Sequence, residues 1–473
     1  MKMLLDGRWV DRDEKIDVLD PFDNSVIDTV PKGTKVDVEA ALAAAAKGFE
    51  VTKRMTVYDR AQILYKTAGI ISDNLEDFAN VIAREGSKTI NEARKEASRC
   101  VNTLTCSAEE AKRILGETIP FDSFPGGEKR RGYYYRFPIG VVLAITPFND
   151  PLNLVAHKLG PAIAAGNSVI LKPATVTPLS AIKLVEALLE AGLPPASIQL
   201  ITGYGSKIGD PLVSDERVRM ISFTGGVEAG KHIASIAGIK KIGMELGSDS
   251  PVIVWKDADL ELAVESCVSG SFWAAGQNCI GVQRLLVHRD IYDEFKTKFV
   301  KRTKLYKIGD KLKEETDMGP MITETEAKRV EKWVKEAVEK GATVLTGGKR
   351  EGALFEPTVL EKVPSNATIH YEEVFGPTVN LYPVDDLDKA IKEANSLPYG
   401  LLAAIFTSNV DVAFKAAYEL DCGGVIINDS TDYRLDSMPF GGVKYSGLGR
   451  EGLKFSLQEM TEPKVVCFHL PGI

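Results

Sequence analysis

Cys279 lies in a stretch of small and amide-bearing residues that suits a reactive thiol. Residues 276–281 read Gly-Gln-Asn-Cys-Ile-Gly, and glycine lets backbone and substrate come close because it carries no side chain. Both a thiolate nucleophile and a buried small hydrophobic residue are consistent with this pattern. The role of Cys279 therefore depends on residues elsewhere in the chain.

Two other side chains bring groups that catalysis uses. Asn149 follows the apolar run 141–145, so its amide could stabilise an oxyanion at the carboxyl end of a strand. An Asn before Asp-Pro also forms turns, which is the alternative. Glu245 lies among small and apolar residues, where a carboxylate with a raised pKa could act as general base. Its alternative is an exposed residue at a sheet edge.

Two segments have features of a nucleotide site. Lys172 ends the apolar run 168–171, where it could bond a ribose or phosphate or lie on the surface. Gly225 and Gly226 stand between a predicted strand and a predicted helix, so a diphosphate could meet the helix N-terminus there. The turn lacks the G-x-G-x-x-G pattern, and a tight strand-to-helix loop explains it equally.

Alternating strands and helices position these residues. Strands predicted at 141–145, 168–171, 197–201 and 220–223 alternate with helices at 152–165 and 178–191. This order predicts a parallel sheet, which binds ligands at the carboxyl ends of its strands. A second α/β region spans 260 to about 449, with strands predicted at 284–288, 342–345, 401–406 and 424–427.

The first third of the chain and its end are predicted to be organised differently. Helical spacing covers 36–51, 59–85 and 92–115, so the first third is predicted to be mostly helical. The Gly126-Gly127 turn and the alternating residues 131–137 then predict a hairpin arm. A terminal strand at 464–470 could pair with this hairpin or with another chain. A partner subunit is the favoured cover for the arm, and the surface of its own domain is the alternative.

Composition limits the classes of function. The chain has 473 residues, 44% of them hydrophobic and 26% charged, as is typical of a soluble globular protein. A net charge of −8 argues against a nucleic-acid partner. An early acidic residue argues against a signal peptide, and the chain lacks a long apolar run, so we expect no membrane association and a cytoplasmic location. Six cysteines without a Cys-x-x-Cys pair and five scattered histidines predict neither a disulfide framework nor a metal site.

Taken in order, the segments around Asn149, Lys172, Gly225, Glu245 and Cys279 resemble the aldehyde dehydrogenase superfamily over essentially the whole chain. Three later segments also match: Glu-Glu-Val-Phe-Gly-Pro at 372–377, Asn-Ser-Leu-Pro-Tyr-Gly-Leu at 395–401, and Pro-Phe-Gly-Gly-Val-Lys-Tyr-Ser-Gly at 439–447. Within this superfamily, the sequence resembles lactaldehyde dehydrogenases and members similar to non-phosphorylating glyceraldehyde-3-phosphate dehydrogenase.

The resemblance implies an α/β fold with three parts. A Rossmann-like cofactor-binding domain would comprise 1–116 and 137–246, and an α/β catalytic domain would comprise 247–452. A small β arm for oligomerisation would comprise 117–136 and 453–473, and the protein would be a homodimer or homotetramer.

The resemblance also implies roles. Cys279 would attack the aldehyde, Asn149 would stabilise the oxyanion of the thiohemiacetal, and Glu245 would activate water to hydrolyse the later thioester. Lys172 and Glu373 would hold the two riboses of the cofactor. The full set of expected cofactor-binding residues is Thr146, Pro147, Phe148, Lys172, Thr175, Gly205, Thr224, Gly225, Gly226, Leu246, Glu373 and Phe375.

Thr175 departs from the pattern of NAD-preferring members, which carry a Glu at this position. A carboxylate repels a 2′-phosphate, whereas a hydroxyl accepts one. The sequence therefore predicts NADP as cofactor, either alone or together with NAD.

The residues expected at the substrate are polar. Asn153 lies one helical turn before His157, so the two share a helix face, although they could instead cap the helix or face solvent. Arg99 and Arg434 resemble arginines that non-phosphorylating glyceraldehyde-3-phosphate dehydrogenases use on a phosphate, whereas Asn278 stands where those enzymes tend to carry an arginine.

This combination predicts a 2-hydroxyaldehyde such as lactaldehyde or glyceraldehyde as substrate. The alternative is a phosphorylated or sulfonated three-carbon aldehyde such as glyceraldehyde-3-phosphate or sulfolactaldehyde. A coenzyme A-acylating enzyme is a rival, but such enzymes typically lack the Glu245 carboxylate. A non-catalytic protein on the same fold is the rival of a different class.

Overall fold

The computed structural model describes residues 1–472. In this part of the chain, no helix is both long and apolar enough to cross a membrane. The helices are α1 (Lys35–Thr52), α2 (Val57–Asp73), α3 (Leu75–Glu85), α4 (Ile90–Ala111), α5 (Asn153–Ala165), α6 (Leu179–Glu190), α7 (Gly205–Ser214), α8 (Val227–Ile236), α9 (Leu260–Phe272), α10 (Arg289–Thr303), α11 (Glu324–Glu339), α12 (Thr368–Tyr371), α13 (Leu387–Ala394), α14 (Val410–Glu419) and α15 (Leu453–Glu459).

The strands form two large sheets and three small ones. They are β1 (Met3–Leu5), β2 (Arg8–Val10), β3 (Lys15–Leu19), β4 (Val26–Pro31), β5 (Glu117–Thr118), β6 (Arg130–Pro138), β7 (Val141–Ile145), β8 (Ser168–Lys172), β9 (Ile198–Leu200), β10 (Val218–Thr224), β11 (Lys241–Glu245), β12 (Pro251–Val254), β13 (Arg284–His288), β14 (Thr343–Thr346), β15 (Arg350–Glu351), β16 (Leu354–Phe355), β17 (Thr358–Glu361), β18 (Thr378–Val384), β19 (Leu402–Phe406), β20 (Gly424–Ile427), β21 (Gly447–Leu448) and β22 (Thr461–His469).

The first large sheet has the order β2-β1-β9-β8-β7-β10-β11-β21. Its central strands β9, β8, β7, β10 and β11 are parallel. Helices α4, α5 and α6 supply one apolar layer over this sheet, and α1, α7 and α8 supply the other. Since both faces are covered, β7 and β8 are almost continuously apolar, as expected for buried parallel strands. The predicted parallel sheet is confirmed.

The second large sheet has the order β14-β17-β18-β13-β12-β19-β20. Its strands pair in parallel except for β14, which runs antiparallel to β17. The predicted strands at 284–288 and 424–427 have the observed bounds of β13 and β20.

The arm is a three-stranded antiparallel sheet in the order β22-β6-β5. Thr461 pairs with Pro138 and His469 pairs with Arg130, so the two long strands match along their whole length. Of the two partners considered for the terminal strand, the hairpin of the same chain is the one observed.

Three features differ from the sequence-based expectations. Four short strands, β1 to β4, precede the first helix, so the first third is less purely helical than predicted. The predicted helix at 59–85 is two helices, which break at Asn74 where φ is −118° and ψ is 29°. Strand β21 pairs with β11 of the first sheet, and α15, which lies within the segment 453–473 expected to form the arm, packs against α4 and α5.

Candidate active site

Cys279 and Asn149 lie where two cavities meet. A cavity of 380 Å³ is bounded by the carboxyl ends of strands in the first sheet. A second cavity, of 620 Å³, opens between α4, α9 and the loop 429–440. Both residues line both cavities, so the thiol and the amide can act on a molecule that enters from either side.

The smaller cavity gathers most of the residues expected at the cofactor. Strands β7, β10 and β11 end beside it because they are adjacent and parallel. Expected residues that line it are Thr146, Pro147, Phe148, Thr224, Gly225, Gly226, Leu246, Glu373 and Phe375. The ring of Phe148 meets that of Phe375 edge to face at 5.7 Å between centroids.

The N-terminus of α8 suits a diphosphate. Its first amides receive no side-chain cap within residues 1–472, and a Cβ added at Gly226 would meet nothing within 4 Å. The buried hydroxyls of Thr146 and Thr224 likewise have no hydrogen-bond partner in this part of the chain. Open backbone donors and unpaired hydroxyls are what a nicotinamide dinucleotide would engage, so the cavity fits this group.

Lys172 ends β8, the next strand of the sheet, and Thr175 lies in the loop after it, so neither residue lines this cavity. Lys172 pairs in register with Ile145, and its ammonium donates to the Pro173 carbonyl at 3.1 Å. Burial lowers the pKa of Lys172 to about 8. Thr175 donates to the Gly203 carbonyl at 3.1 Å, and Gly205 begins α7 beside Lys172.

Glu373 closes the cavity from the second sheet. Its carboxylate accepts from the Ser248 N–H at 2.9 Å and presses on Gly247, where a Cβ would lie 2.3 Å from Oε2. Burial raises the pKa of Glu373 to about 7, against the effect of the Ser248 bond.

The surroundings of Cys279 favour its neutral thiol. Burial, followed by the carboxylate of Glu373, raises the pKa of Cys279 to about 12. The thiolate is the nucleophile, so the reaction needs a proton acceptor or a positive charge near the thiol.

Glu245 is a second group of the smaller cavity whose pKa is raised. It ends β11, lines the cavity with Cys279, and is 4% exposed, which excludes the alternative of an exposed edge residue. Burial and then the neighbouring Glu451 carboxylate raise its pKa well above the ordinary value. Its Oε2 has no hydrogen-bond partner within residues 1–472, so it is free to take a proton from a reactant.

The pKa of Glu451 shifts in the opposite direction to that of Glu245. Although burial alone would raise its pKa, Lys158 and then Arg434 lower the pKa of Glu451 to about 2. Lys158 donates to it at 2.9 Å from α5, and Arg434 donates at 3.2 Å. The lowered pKa of Glu451 favours its ionised form, whereas the raised pKa of the neighbouring Glu245 favours its protonated form.

The larger cavity is polar and mixed in charge. Its charged lining comprises the cations Lys88, Lys95, Arg99 and Arg434 and the acids Glu96, Asp150, Glu265, Asp429 and Asp432. Asn278 and the ring of Trp273 also line it. Since the cations do not outnumber the acids, the cavity does not select for a strongly anionic ligand by charge alone.

Arg434 and Arg99 are both held by carboxylates. Arg434 lies over the Phe440 ring at 3.7 Å from its centroid. Arg99 donates to Asp436 at 2.8 Å. The Nε of each arginine has no partner within residues 1–472, so each keeps a donor to offer.

Asn153 lies behind the wall of this cavity, which differs from its expected place at the substrate. It is fully buried, and its side chain accepts from Thr103 at 2.8 Å and donates to Asp436 at 3.4 Å. His157 contacts the same carboxylate at 3.0 Å, so the predicted shared face is correct. Helix α5 is buried on all sides, and the face that carries Asn153 and His157 packs against the loop 429–440 through Asp436. This face therefore contacts neither solvent nor the cavity.

Sequence reasoning missed most of the charged residues of the site, and three of them fix the positions of others. Lys88 forms ion pairs with Asp150 and, at 2.7 Å, with Glu96, and Glu451 and Asp436 hold the two arginines. They come from three separate segments. Lys88 lies among polar residues before α4, and no motif in the sequence around it indicates a role in the site.

The chain belongs to the aldehyde dehydrogenase family, which residues 9–466 match. It is therefore an oxidoreductase that acts on aldehydes, and both the predicted resemblance and the predicted fold are confirmed.

Relatives with differing substrates match nearly the whole chain. Aspartate-semialdehyde dehydrogenase 1 of Pseudomonas canavaninivorans is 50% identical, over 97% of each chain. The 3-sulfolactaldehyde dehydrogenase of Priestia aryabhattai is 46% identical, over 99% of this chain and 98% of the relative. The lactaldehyde dehydrogenase of Methanocaldococcus jannaschii is 42% identical, over 98% and 99%.

Solved structures agree with the fold. The glyceraldehyde-3-phosphate dehydrogenase GapN of Methanocaldococcus jannaschii, in complex with NADP, gives a TM-score of 0.94 at 40% identity, over 97% of this chain and all of the other. Betaine aldehyde dehydrogenase of Staphylococcus aureus, in complex with NAD⁺, gives 0.96 at 35% identity, over 100% and 95%. The family fold therefore holds either cofactor.

Proposed function

We propose that this aldehyde dehydrogenase oxidises a short 2-hydroxyaldehyde, such as lactaldehyde or glyceraldehyde, to the free carboxylic acid, with NADP as the preferred cofactor. The observation that carries the proposal is the junction of the two cavities at Cys279 and Asn149. One cavity suits a dinucleotide, and the other suits a small polar substrate.

Each side chain at the junction has one task. The Cys279 thiol gives its proton to solvent and adds to the aldehyde carbon as the thiolate, and the Asn149 amide together with the Cys279 backbone N–H donates to the oxygen that becomes negative. When bound, NADP accepts the hydride that leaves this carbon. Glu245 then takes a proton from water, whose oxygen attacks the thioester, and Cys279 leaves as the acid is released.

Lys172 and Thr175 determine the preference for NADP over NAD. Lys172 can donate to a ribose hydroxyl or a 2′-phosphate, and the Thr175 hydroxyl adds no negative charge. Glu373, at the other end, accepts from the hydroxyls of the second ribose, and Phe375 supports the nicotinamide.

A 2-hydroxyaldehyde suits the mixed charge of the larger cavity. The carboxylates and amides there, including Asn278, can form hydrogen bonds with a hydroxyl group. The carboxylates also offset the charge of the cations. The lactaldehyde dehydrogenase relative supports this class of substrate.

A three-carbon aldehyde with a phosphate or sulfonate is the second candidate. It is favoured by the unpartnered Nε atoms of Arg99 and Arg434 and by the sulfolactaldehyde and glyceraldehyde-3-phosphate dehydrogenases among similar proteins. The anion would bind between the two arginines.

A steady-state comparison of lactaldehyde, glyceraldehyde, glyceraldehyde-3-phosphate and sulfolactaldehyde, each with NADP and NAD, tests the proposal. We expect the highest kcat/KM for a neutral hydroxyaldehyde with NADP, a free acid as product without coenzyme A, and no oxidation by Cys279→Ala. Arg434→Gln should lower kcat/KM for the anionic aldehydes by about tenfold more than for the neutral ones, since it removes a charged hydrogen-bond donor. A clear preference for an anionic aldehyde in the wild type would replace the first candidate by the second.

A further inference from the structure

The loop that carries Cys279 begins with three consecutive residues in the left-handed region. Ala274 has φ 49° and ψ 39°, Ala275 has φ 56° and ψ 39°, and Gly276 has φ 68°. Residues with a Cβ rarely adopt this conformation, and two in succession persist only where the surroundings hold them.

Ala274 is held at both of its backbone groups by side chains. Its N–H donates to Glu92 Oε1 at 2.9 Å, and its carbonyl accepts from Gln277 Nε2 at 2.9 Å. Gln277 in turn accepts from the Ile322 N–H at 2.9 Å, which fixes its amide. All of these contacts are buried, so water does not compete for them.

Gly276 anchors the loop on the third side. A Cβ at this position would lie 2.2 Å from the Gly376 carbonyl oxygen, so the loop packs directly on the backbone that follows Phe375. The left-handed turn therefore fixes the position of Cys279 in the wall of the cofactor cavity.

Glu92 reaches this turn from another element. It lies in the first turn of α4, 7% exposed, and its second oxygen accepts from the Thr89 N–H at 2.8 Å. Thr89 is the N-cap of α4, so Glu92 belongs to a capping box as well as to the loop contact. One carboxylate thus links the end of α4 to the turn before the nucleophile.

We propose that Glu92 is a positioning residue for the reaction: by binding the Ala274 N–H, it holds the left-handed turn that presents Cys279 at the junction of the cavities. The inference rests on the proposed role of Cys279 as nucleophile. Glu92 itself touches neither the reacting atoms nor the cofactor cavity.

Alkylation of Cys279 by iodoacetamide, followed by mass spectrometry of the peptide that contains it, tests the inference without a substrate. In Glu92→Gln, one oxygen must serve two N–H groups, so we expect the alkylation rate and kcat to fall by about tenfold. The KM for NADP should stay unchanged. Because no aldehyde is needed, failure of the proposed function would leave this readout intact.

Thr89→Ala is the matched control, since it removes the helix cap but not the contact with Ala274. We expect it to keep the wild-type alkylation rate. Adding Ala274→Gly to Glu92→Gln should recover most of the lost rate, because glycine adopts the left-handed conformation at little cost. If the glutamine variant does not fold, Glu92→Asp replaces it, since it keeps the charge but shortens the reach.

A wild-type alkylation rate in the Glu92 variant would overturn the proposal. So would an equal loss in Thr89→Ala, or the absence of recovery in the double variant, because either result would reduce Glu92 to a helix cap.

Discussion

At the scale of the residue, the site depends on buried groups whose pKa values differ from those in water. Burial favours the neutral forms of Cys279 and Glu245, whereas Lys158 and Arg434 keep Glu451 ionised. The pair of acids therefore offers one group that can gain or lose a proton beside one that cannot. Such a division suits a base that must act once in each turnover and then recover.

Glu245→Gln should separate the two halves of the reaction. We expect a retained burst of reduced cofactor in the first turnover and a steady-state rate slower by about a hundredfold, since general bases typically contribute that much. Because the pKa of Glu245 is raised, its ionised fraction and the wild-type rate of hydrolysis should both increase with pH above the ordinary carboxyl range. Stopped-flow absorbance measures both phases. Loss of the burst itself would place Glu245 in the earlier half of the reaction.

Thr175→Glu should shift the cofactor preference towards NAD. A carboxylate near the 2′-phosphate repels it, and two unit charges about 4 Å apart still interact by about 4 kcal/mol at an effective dielectric of 20. We therefore expect the ratio of kcat/KM for NADP over NAD to fall by at least about tenfold. Thr175→Gln, similar in size but neutral, is the control and should leave the ratio within about twofold of the wild type on the same argument. An unchanged ratio in the glutamate variant would mean that the phosphate binds elsewhere.

At the scale of the element, the parallel strands could be predicted closely because burial on both faces leaves an unbroken apolar run. Strands β7 and β13 have the predicted bounds for this reason, whereas β20, a half-buried edge strand, has them because its four residues still form an apolar run. Strands β1 to β4 lack such an apolar run. They span only three to six residues each, and β2, β3 and β4 contain exposed residues. Strand β1 also has a partner far along the chain, since Leu4 pairs with Leu200, whereas β2 pairs with β1 and β3 pairs with β4.

Helix α5 shows why the residues around the substrate were harder to place. Helical spacing correctly put Asn153 and His157 on one face, but spacing does not tell which neighbour that face will meet. Every residue of α5 is buried, so the periodic signal that separates an inner from an outer face is missing. Asp436, nearly 280 residues along, covers the face instead of the substrate.

At the scale of the whole molecule, the three-stranded sheet of the arm has a surface that the rest of residues 1–472 leaves exposed. Strand β22 forms an edge, and apolar side chains on the arm remain exposed, among them Tyr135 at 54%, Val465 at 58% and Phe468 at 49%. An open edge with exposed apolar groups favours association with another chain. We therefore expect a homodimer or homotetramer in which the arm is covered by a second subunit.

Val465→Asp combined with Phe468→Asp should dissociate this assembly, because two carboxylates would have to be buried without partners. Sedimentation velocity of the wild type should give the mass of two or four chains, and the double variant should give a lower mass. Val36→Asp is the control: Val36 is 76% exposed in the first turn of α1, where an acid is favourable, so the mass should not change. A wild-type protein that sediments as a single chain of 51.5 kDa would show that the arm serves another purpose. An unchanged mass in the double variant would instead place the contact between subunits on a different surface, since solvated carboxylates on a free strand cost little.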